Sequence, residues 1–251
     1  SKNAGSMDIK GFELQLGYND FEGDLQWSAN LNLGTFKNEV KSLGGATYIG
    51  GAGFEGENLT RCQVGQPAFF FYGWKFDGIF QSVEEANSYM GGSQKDFNAS
   101  TAGDFRIKDT NGDGKINEGD RTNIGNPFPK MTLGLDFNAS YKGFDLNLFI
   151  SGVYGNKLYN TNIYDLQGMP RLFNAGVEVL DRWTPENHSN TIPRAGAVAA
   201  NVQASSRFVE DGAYTKLKNI TLGYNIPGNI TKNKLTKLRV YVSAQNMICI
   251  T

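Results

Sequence analysis

Residues 131–150 read MTLGLDFNASYKGFDLNLFI. Met131, Leu133, Leu135, Phe137, Ala139 and Tyr141 share one parity, and Thr132, Gly134, Asp136, Asn138 and Ser140 share the other. After Lys142-Gly143 the alternation resumes, with Phe144, Leu146, Leu148 and Ile150 opposite Asp145, Asn147 and Phe149. In a strand, successive side chains point to opposite faces, so a period of two predicts two strands, each with one apolar and one polar face. The two residues between them leave room only for a hairpin turn.

Four more segments carry the same signature. Residues 12–18 place Phe12, Leu14, Leu16 and Tyr18 on one face, and residues 25–33 place Leu25, Trp27, Ala29, Leu31 and Leu33 together. Residues 218–226 group Ile220, Leu222, Tyr224 and Ile226, and residues 238–245 group Leu238, Val240, Val242 and Ala244. The chain is therefore read as all-β and antiparallel. Alternation alone fits two architectures. A water-soluble sandwich or barrel turns the apolar face inward, whereas a transmembrane β-barrel turns it toward lipid and keeps the polar face for the lumen.

Three features favour the transmembrane barrel. The polar parity is Asn, Gln, Ser, Thr, Gly and Asp, with little Lys or Glu. The connections alternate in length: 19–24, 142–143 and 227–237 are short, while 38–130 and 156–212 are long. Outer-membrane barrels have short periplasmic turns and long extracellular loops, and structureless connections beyond about 15 residues are uncommon in compact soluble domains. Tyr18, Tyr141 and Tyr224 each lie on the apolar parity beside a short turn, where an aromatic girdle would sit. Six strands fall short of the eight that usually close the smallest barrels, and the run Met247–Thr251 still reads as strand. The chain is thus expected to be an internal stretch of a larger barrel.

Composition removes other classes. Lys plus Arg is 24 and Asp plus Glu is 25, a net charge of -1, which supplies no basic excess for nucleic acid. No apolar run approaches the roughly 18 residues of a membrane helix. Cys62 and Cys249 are too few for a disulfide scaffold or a zinc cluster. The single histidine, His188, sits in the polar turn-like stretch 185–190. No nucleophile elbow, phosphate loop or framed acid pair is found, so no enzyme is expected.

Two segments carry binding chemistry. Residues 109–120, DTNGDGKINEGD, match the opening of a calcium loop. Asp109, Asn111 and Asp113 would give side-chain oxygens, Lys115 its carbonyl, Asn117 a ninth-position ligand and Asp120 the last carboxylate, with Gly114 at the sharp turn and Ile116 as anchor. Asp120 stands where the loop usually has Glu, and no flanking helices are evident. Ca2+ is the cofactor this spacing implies, and a metal-free turn held by Asx and Gly chemistry is the alternative. The run 69–74, FFFYGW, offers Tyr72 and Trp74 as a ligand-stacking platform, or else as packing within the loop.

Taken in order, the segments YGWKFDGIFQ (72–81), GDFRIKDTNGDGKIN (103–117), DRTNIGNPFPK (120–130), ASYKGFDL (139–146), DRWTPEN (181–187), IPRA (192–195), LKNITLGY (217–224) and LRVYVSAQN (238–246) resemble the SusC/RagA-type TonB-dependent outer-membrane transporters. The resemblance spans nearly the whole chain. It implies part of the C-terminal region of a 22-stranded barrel in a Gram-negative outer membrane, with loops 38–130 and 156–212 outside the cell and the plug domain and TonB box not in this stretch. It further implies a SusD-like surface lipoprotein, TonB as energy source, lipid contact, and an oligosaccharide or peptide as cargo. The competing expectation is a soluble, calcium-stabilised glycan-binding β-domain.

Overall fold

The computed structural model describes residues 5–196, 199–230 and 235–251. The chain divides into two compact units. A sheet unit comprises Ile9–Asn38, Phe128–Asn156 and Asp211–Thr251. A loop unit is built chiefly from Glu39–Pro127 and Lys157–Glu210, so both long connections fold into one body.

The main sheet has six strands: Ser6–Asp20, Leu25–Ser42, Met131–Tyr141, Phe144–Tyr154, Tyr214–Ile226 and Leu238–Ile250. They neighbour one another in sequence order, an antiparallel meander. Register aligns like with like. Leu25, Tyr141, Phe144, Tyr224 and Val240 form one cross-strand row, and Trp27, Ala139, Leu146, Leu222 and Val242 form the next apolar row. Between them run Gln26, Ser140, Asp145, Gly223 and Tyr241. Because the side-chain period is two, a slip of one residue would exchange the faces, so these rows fix the register.

The strands outrun their sequence signature. The phase breaks at Lys218, where Phe149 pairs with Asn219 but Ile150 pairs with Leu217. The last strand absorbs its own break at Asn246 and Met247, with Asn246 at φ 52, a left-handed conformation that Asn tolerates better than most residues. These bulges let Tyr214–Ile226 and Leu238–Ile250 continue past the points where alternation fails. Of the short connection 227–237, residues 231–234 lie outside the described residues.

The long connections are not structureless, because the loop unit has its own aromatic core. Trp74, Ile107 and Ile116 are buried together, and Ile79, Phe105 and Trp183 form a second cluster. Phe76 stacks on Phe105 at 4.3 Å. A four-stranded sheet runs in the order Thr122–Gly125, Phe70–Gly73, Thr60–Gln63, Tyr48–Gly50, and Phe76–Ile79 pairs with Phe105–Ile107. The helix Val83–Ser88 starts on Ser82, whose hydroxyl accepts the Glu85 N–H at 3.1 Å.

Buried polar groups tie the two long connections together. The Asp104 carboxylate, fully buried, accepts Nε of Arg194 at 2.8 Å, Nδ2 of Asn201 at 2.9 Å and the Thr101 N–H at 2.9 Å. Asn201 Oδ1 in turn accepts the Phe105 N–H at 2.9 Å. At Gly73 the Ala204 carbonyl comes so close that a Cβ would lie 2.2 Å from it. Only glycine admits that approach, which lets the Trp74 N–H donate to Ala204 at 2.9 Å.

Candidate functional site

The polar face of the main sheet is a connected surface of amides and hydroxyls. Asn219 Nδ2 donates to Asn147 Oδ1 at 2.6 Å, Asn147 Nδ2 to Asn138 Oδ1 at 2.8 Å, and Asn138 Nδ2 to Asp136 Oδ1 at 2.6 Å. Thr221 and Ser243 extend the line through a 2.9 Å hydroxyl pair. Strand register makes this possible, since Asn138, Asn147, Thr221 and Ser243 lie in one row. Each group is satisfied sideways, which holds the amides still while leaving capacity for hydroxyl-rich or peptide ligands.

On the other face nothing is packed to interior density. Among the described residues of the sheet unit, only Asn38, Gly152, Asn156, Gly212 and Gly223 are buried. Leu16, Leu25, Leu222, Val240 and Val242 are all exposed. Toward the short turns the face becomes aromatic. Tyr18 lies 5.0 Å from Trp27, and Phe144 lies 4.5 Å from Tyr224.

Loop 109–120 follows the strand Phe105–Ile107 and ends in the short helical turn Glu118–Asp120. Its side chains hold its own backbone. Asp109 accepts the N–H groups of Gly112 at 2.6 Å and Gly114 at 2.8 Å. The Gly114 contact, first among several, keeps the Asp109 carboxyl below its ordinary range. Asn111 Oδ1 accepts from the Asp113 N–H, and Asp113 Oδ1 accepts from the Lys115 N–H. Ile116 is buried against Trp74 and Ile107 and anchors the loop. Asp120 is buried, with one oxygen accepting the Thr110 N–H and the other the Asn117 N–H, both at 2.9 Å. The donor set is hard oxygen throughout, which suits a hard cation in kind. Among the described residues, however, no three His, Cys, Asp or Glu side chains converge as a metal cluster. Any ion would therefore lean on the Asn111 and Asn117 amides and the Lys115 carbonyl.

Tyr72 and Trp74, expected as one platform, part company. Trp74 is 1% exposed and has no face to offer a ligand; the aromatic run there is core. Packing within the loop, the alternative that the sequence offered, is what holds at Trp74: it is buried with Ile107 and Ile116, while Phe71 meets Tyr159, and these partners lie too far along the chain for the sequence to choose between the two readings. Tyr72 stays half-buried, with the Arg61 guanidinium over its ring. A second arginine, Arg207, is enclosed between Phe105 and Phe208, where burial pushes it down to about 10. His188 stacks on Trp183 at 5.7 Å, beside the turn Thr184–Asn187.

No family model matches the chain. Its curated relatives include TonB-dependent receptor P26 of Formosa agariphila, 32% identical over 98% of this chain and 25% of the relative. TonB-dependent receptor P3 of the same organism is 30% identical over 100% of this chain and 25% of the relative. TonB-dependent receptor SusC of Bacteroides thetaiotaomicron is 26% identical over 100% and 24%. The chain thus spans about a quarter of the length of the curated relatives it matches. Among solved structures, that of the RagAB peptide transporter superposes with a TM-score of 0.77 at 22% identity, over 100% of this chain and 26% of that one. The RagAB peptide importer in its closed-closed state gives 0.75. The fold of the six-stranded sheet with its long connections is that of a stretch of such a barrel.

Proposed function

The chain belongs to the SusC/RagA-type TonB-dependent receptors, and from that premise we propose that it forms part of the wall and the outer loops of an outer-membrane importer. Its cargo is an oligosaccharide or a peptide, taken up with a SusD-like surface lipoprotein and driven by TonB. The observation that carries this reading is the contrast between the two faces of the sheet. One is uncovered and apolar, with aromatics toward the short turns; the other is an amide ladder. Lipid is the solvent that suits the first, and a wet lumen suits the second. A soluble β-domain would have to bury the apolar face, and among the described residues of the sheet unit nothing does so.

In this arrangement the strands act as a rigid frame. The lumen amides present many weak, exchangeable hydrogen bonds, which favour passage over capture. The loop unit stands on the outer side, where cargo and lid protein meet it. Loop 109–120 would take Ca2+ through Asp109, Asn111, Asp113, the Lys115 carbonyl and Asn117. Asp120 would share its two oxygens with the N–H groups they already accept. The ion would tighten a loop whose anchor, Ile116, is already buried.

The test is fractionation of the full-length protein, with mass spectrometry of what co-purifies from detergent-extracted outer membranes. Recovery with a SusD-like lipoprotein supports the reading, and recovery in the soluble fraction alone sinks it. Labelling intact cells at a cysteine introduced at Asn98 or His188, against one at Asp20, reads the orientation. Reaction at Asp20 only would invert it. Elemental analysis with a calcium-dependent melting shift tests the ion, and neither signal would remove it.

A further inference from the structure

The four-stranded sheet of the loop unit has two unlike faces. Thr60, Cys62 and Phe71 point into the interior and are buried. On the opposite face, strand alternation and register bring together Tyr48, Arg61, Gln63, Tyr72 and Asn123 around Phe70, whose ring is itself buried. Tyr48 pairs with Gln63, Arg61 with Phe70, and Asn123 with Tyr72. Arg61 lies at the centre, its Cζ 3.4 Å from the Tyr72 ring centroid and 3.9 Å from that of Tyr48. The strand carrying Arg61 runs between the strands carrying the two tyrosines, so the rings cover the guanidinium from either side. A planar guanidinium stacked in this way keeps its donors at its edge.

That cation is not neutralised. Among the described residues no Asp or Glu forms an ion pair with Arg61, whereas neighbouring Arg121 is engaged by Glu57 at 3.4 Å and Glu118 at 3.5 Å. Arg121 nevertheless leaves its buried Nε without a partner among the described residues. Both arginines line a cavity of about 190 Å³, whose wall also includes Gln63, Gln66, Thr122 and Asn123. Asn123 Nδ2 donates to Gln66 Oε1 at 3.0 Å, which fixes one pair of amides. The volume falls below the roughly 300–1,000 Å³ of sites that enclose a drug-sized ligand, so it suits one ring or one terminal residue.

We propose that this cavity binds the anionic group, a carboxylate or a sulfate ester, of an acidic sugar residue. The charge calls for an anion, and the guanidinium edge matches two anionic oxygens side by side. The amides and the Thr122 hydroxyl complement ring hydroxyls, which an apolar peptide side chain would leave unsatisfied. The inference rests on the reading that the loop unit meets the cargo, and it narrows that cargo to acidic glycans.

The experiment is titration calorimetry on the detergent-purified full-length protein with an oligogalacturonate, a sulfated galactan oligosaccharide and a neutral galactan oligosaccharide of equal length. One acidic probe should bind at least roughly tenfold tighter than the neutral one, with the preference shrinking as salt rises. Which acidic probe wins separates carboxylate from sulfate. R61Q should abolish the preference, and R61K should retain part of it, since charge persists without the fork. Equal affinity for acidic and neutral probes overturns the proposal, as does an R61Q protein that keeps the preference. A short peptide that binds tighter than either acidic sugar, and loses that affinity in R61Q or on C-terminal amidation, overturns the sugar assignment in favour of a peptide terminus. If R61Q fails to fold, the probe and salt comparisons on the unaltered protein decide alone. Membrane fractionation reads the transport function separately. An outer-membrane protein without acidic preference sinks only this inference, and a soluble protein with that preference sinks only the transport reading.

Discussion

Phe80 and Trp74 in the loop unit are 0% and 1% exposed, whereas Leu16 and Val242 in the main sheet are 54% and 68% exposed. All the buried hydrophobic side chains among the described residues belong to the loop unit. The buried residues described in the sheet unit are glycines and asparagines. The same chain therefore satisfies two solvents. The loop unit follows the rule for water, with apolar groups inside and buried polar groups such as Asp104, Gln94 and Asn201 hydrogen-bonded. The sheet holds its register through backbone pairing and cross-strand rows, and its apolar side chains face outward for something else to cover. Outward-facing leucines and valines are a liability in water and a requirement in lipid.

Substitutions can break this contrast. The largest effect is expected at Trp74→Ala, which should cost about 3–5 kcal/mol by opening a cavity in the loop core. Rapid proteolysis of the loops with an intact sheet would register it. A loop unit as protease-resistant as before would mean that Trp74 is not core. Next comes a paired test on one strand. Phe137→Arg, on the apolar face, should destabilise by about 2–4 kcal/mol near the bilayer midplane, while Asn138→Arg on the polar face should be tolerated. Denaturant titration of the reconstituted protein measures both, and equal costs would erase the distinction between the faces. Asp104→Asn should cost about 1–3 kcal/mol, since it removes the charge that Arg194 and the buried amide of Asn201 lean on. A melting midpoint that did not move would refute it.

The smallest effect concerns pH. The Asp109 carboxyl is held low by the Gly114 N–H first, so its support of the loop is present above the ordinary carboxylate range. That support is lost as pH falls through the lowered value. Protection of the Gly112 and Gly114 amides from hydrogen exchange, taken relative to the intrinsic rate at each pH, should therefore persist at neutral pH and be lost only under strong acidity. Loss of protection already near neutrality would contradict the assignment.

Much of the sheet was legible because its signal is local. Met131–Tyr141 and the first seven residues of Phe144–Tyr154 follow from alternation and a two-residue turn. The continuation of Tyr214–Ile226 and Leu238–Ile250 was not, since a bulge breaks the phase and is specified by the neighbouring strand. Of the candidate site, the oxygen ladder of 109–117 could be read from spacing. The burial of Asp120 could not, because it depends on Thr110 and Asn117 turning their N–H groups toward one carboxylate.

Adjacent residues are enough to specify strands of two unlike faces joined by short and long connections, because a period of two is a local property. That the long connections share an aromatic core, and that Trp74 belongs to it, comes from the folded arrangement alone. The folded structure also sets Arg61 between Tyr48 and Tyr72, where no carboxylate pairs with it among the described residues. Those arrangements join residues from separate strands, and the register that brings them together is set across the sheet rather than along the chain.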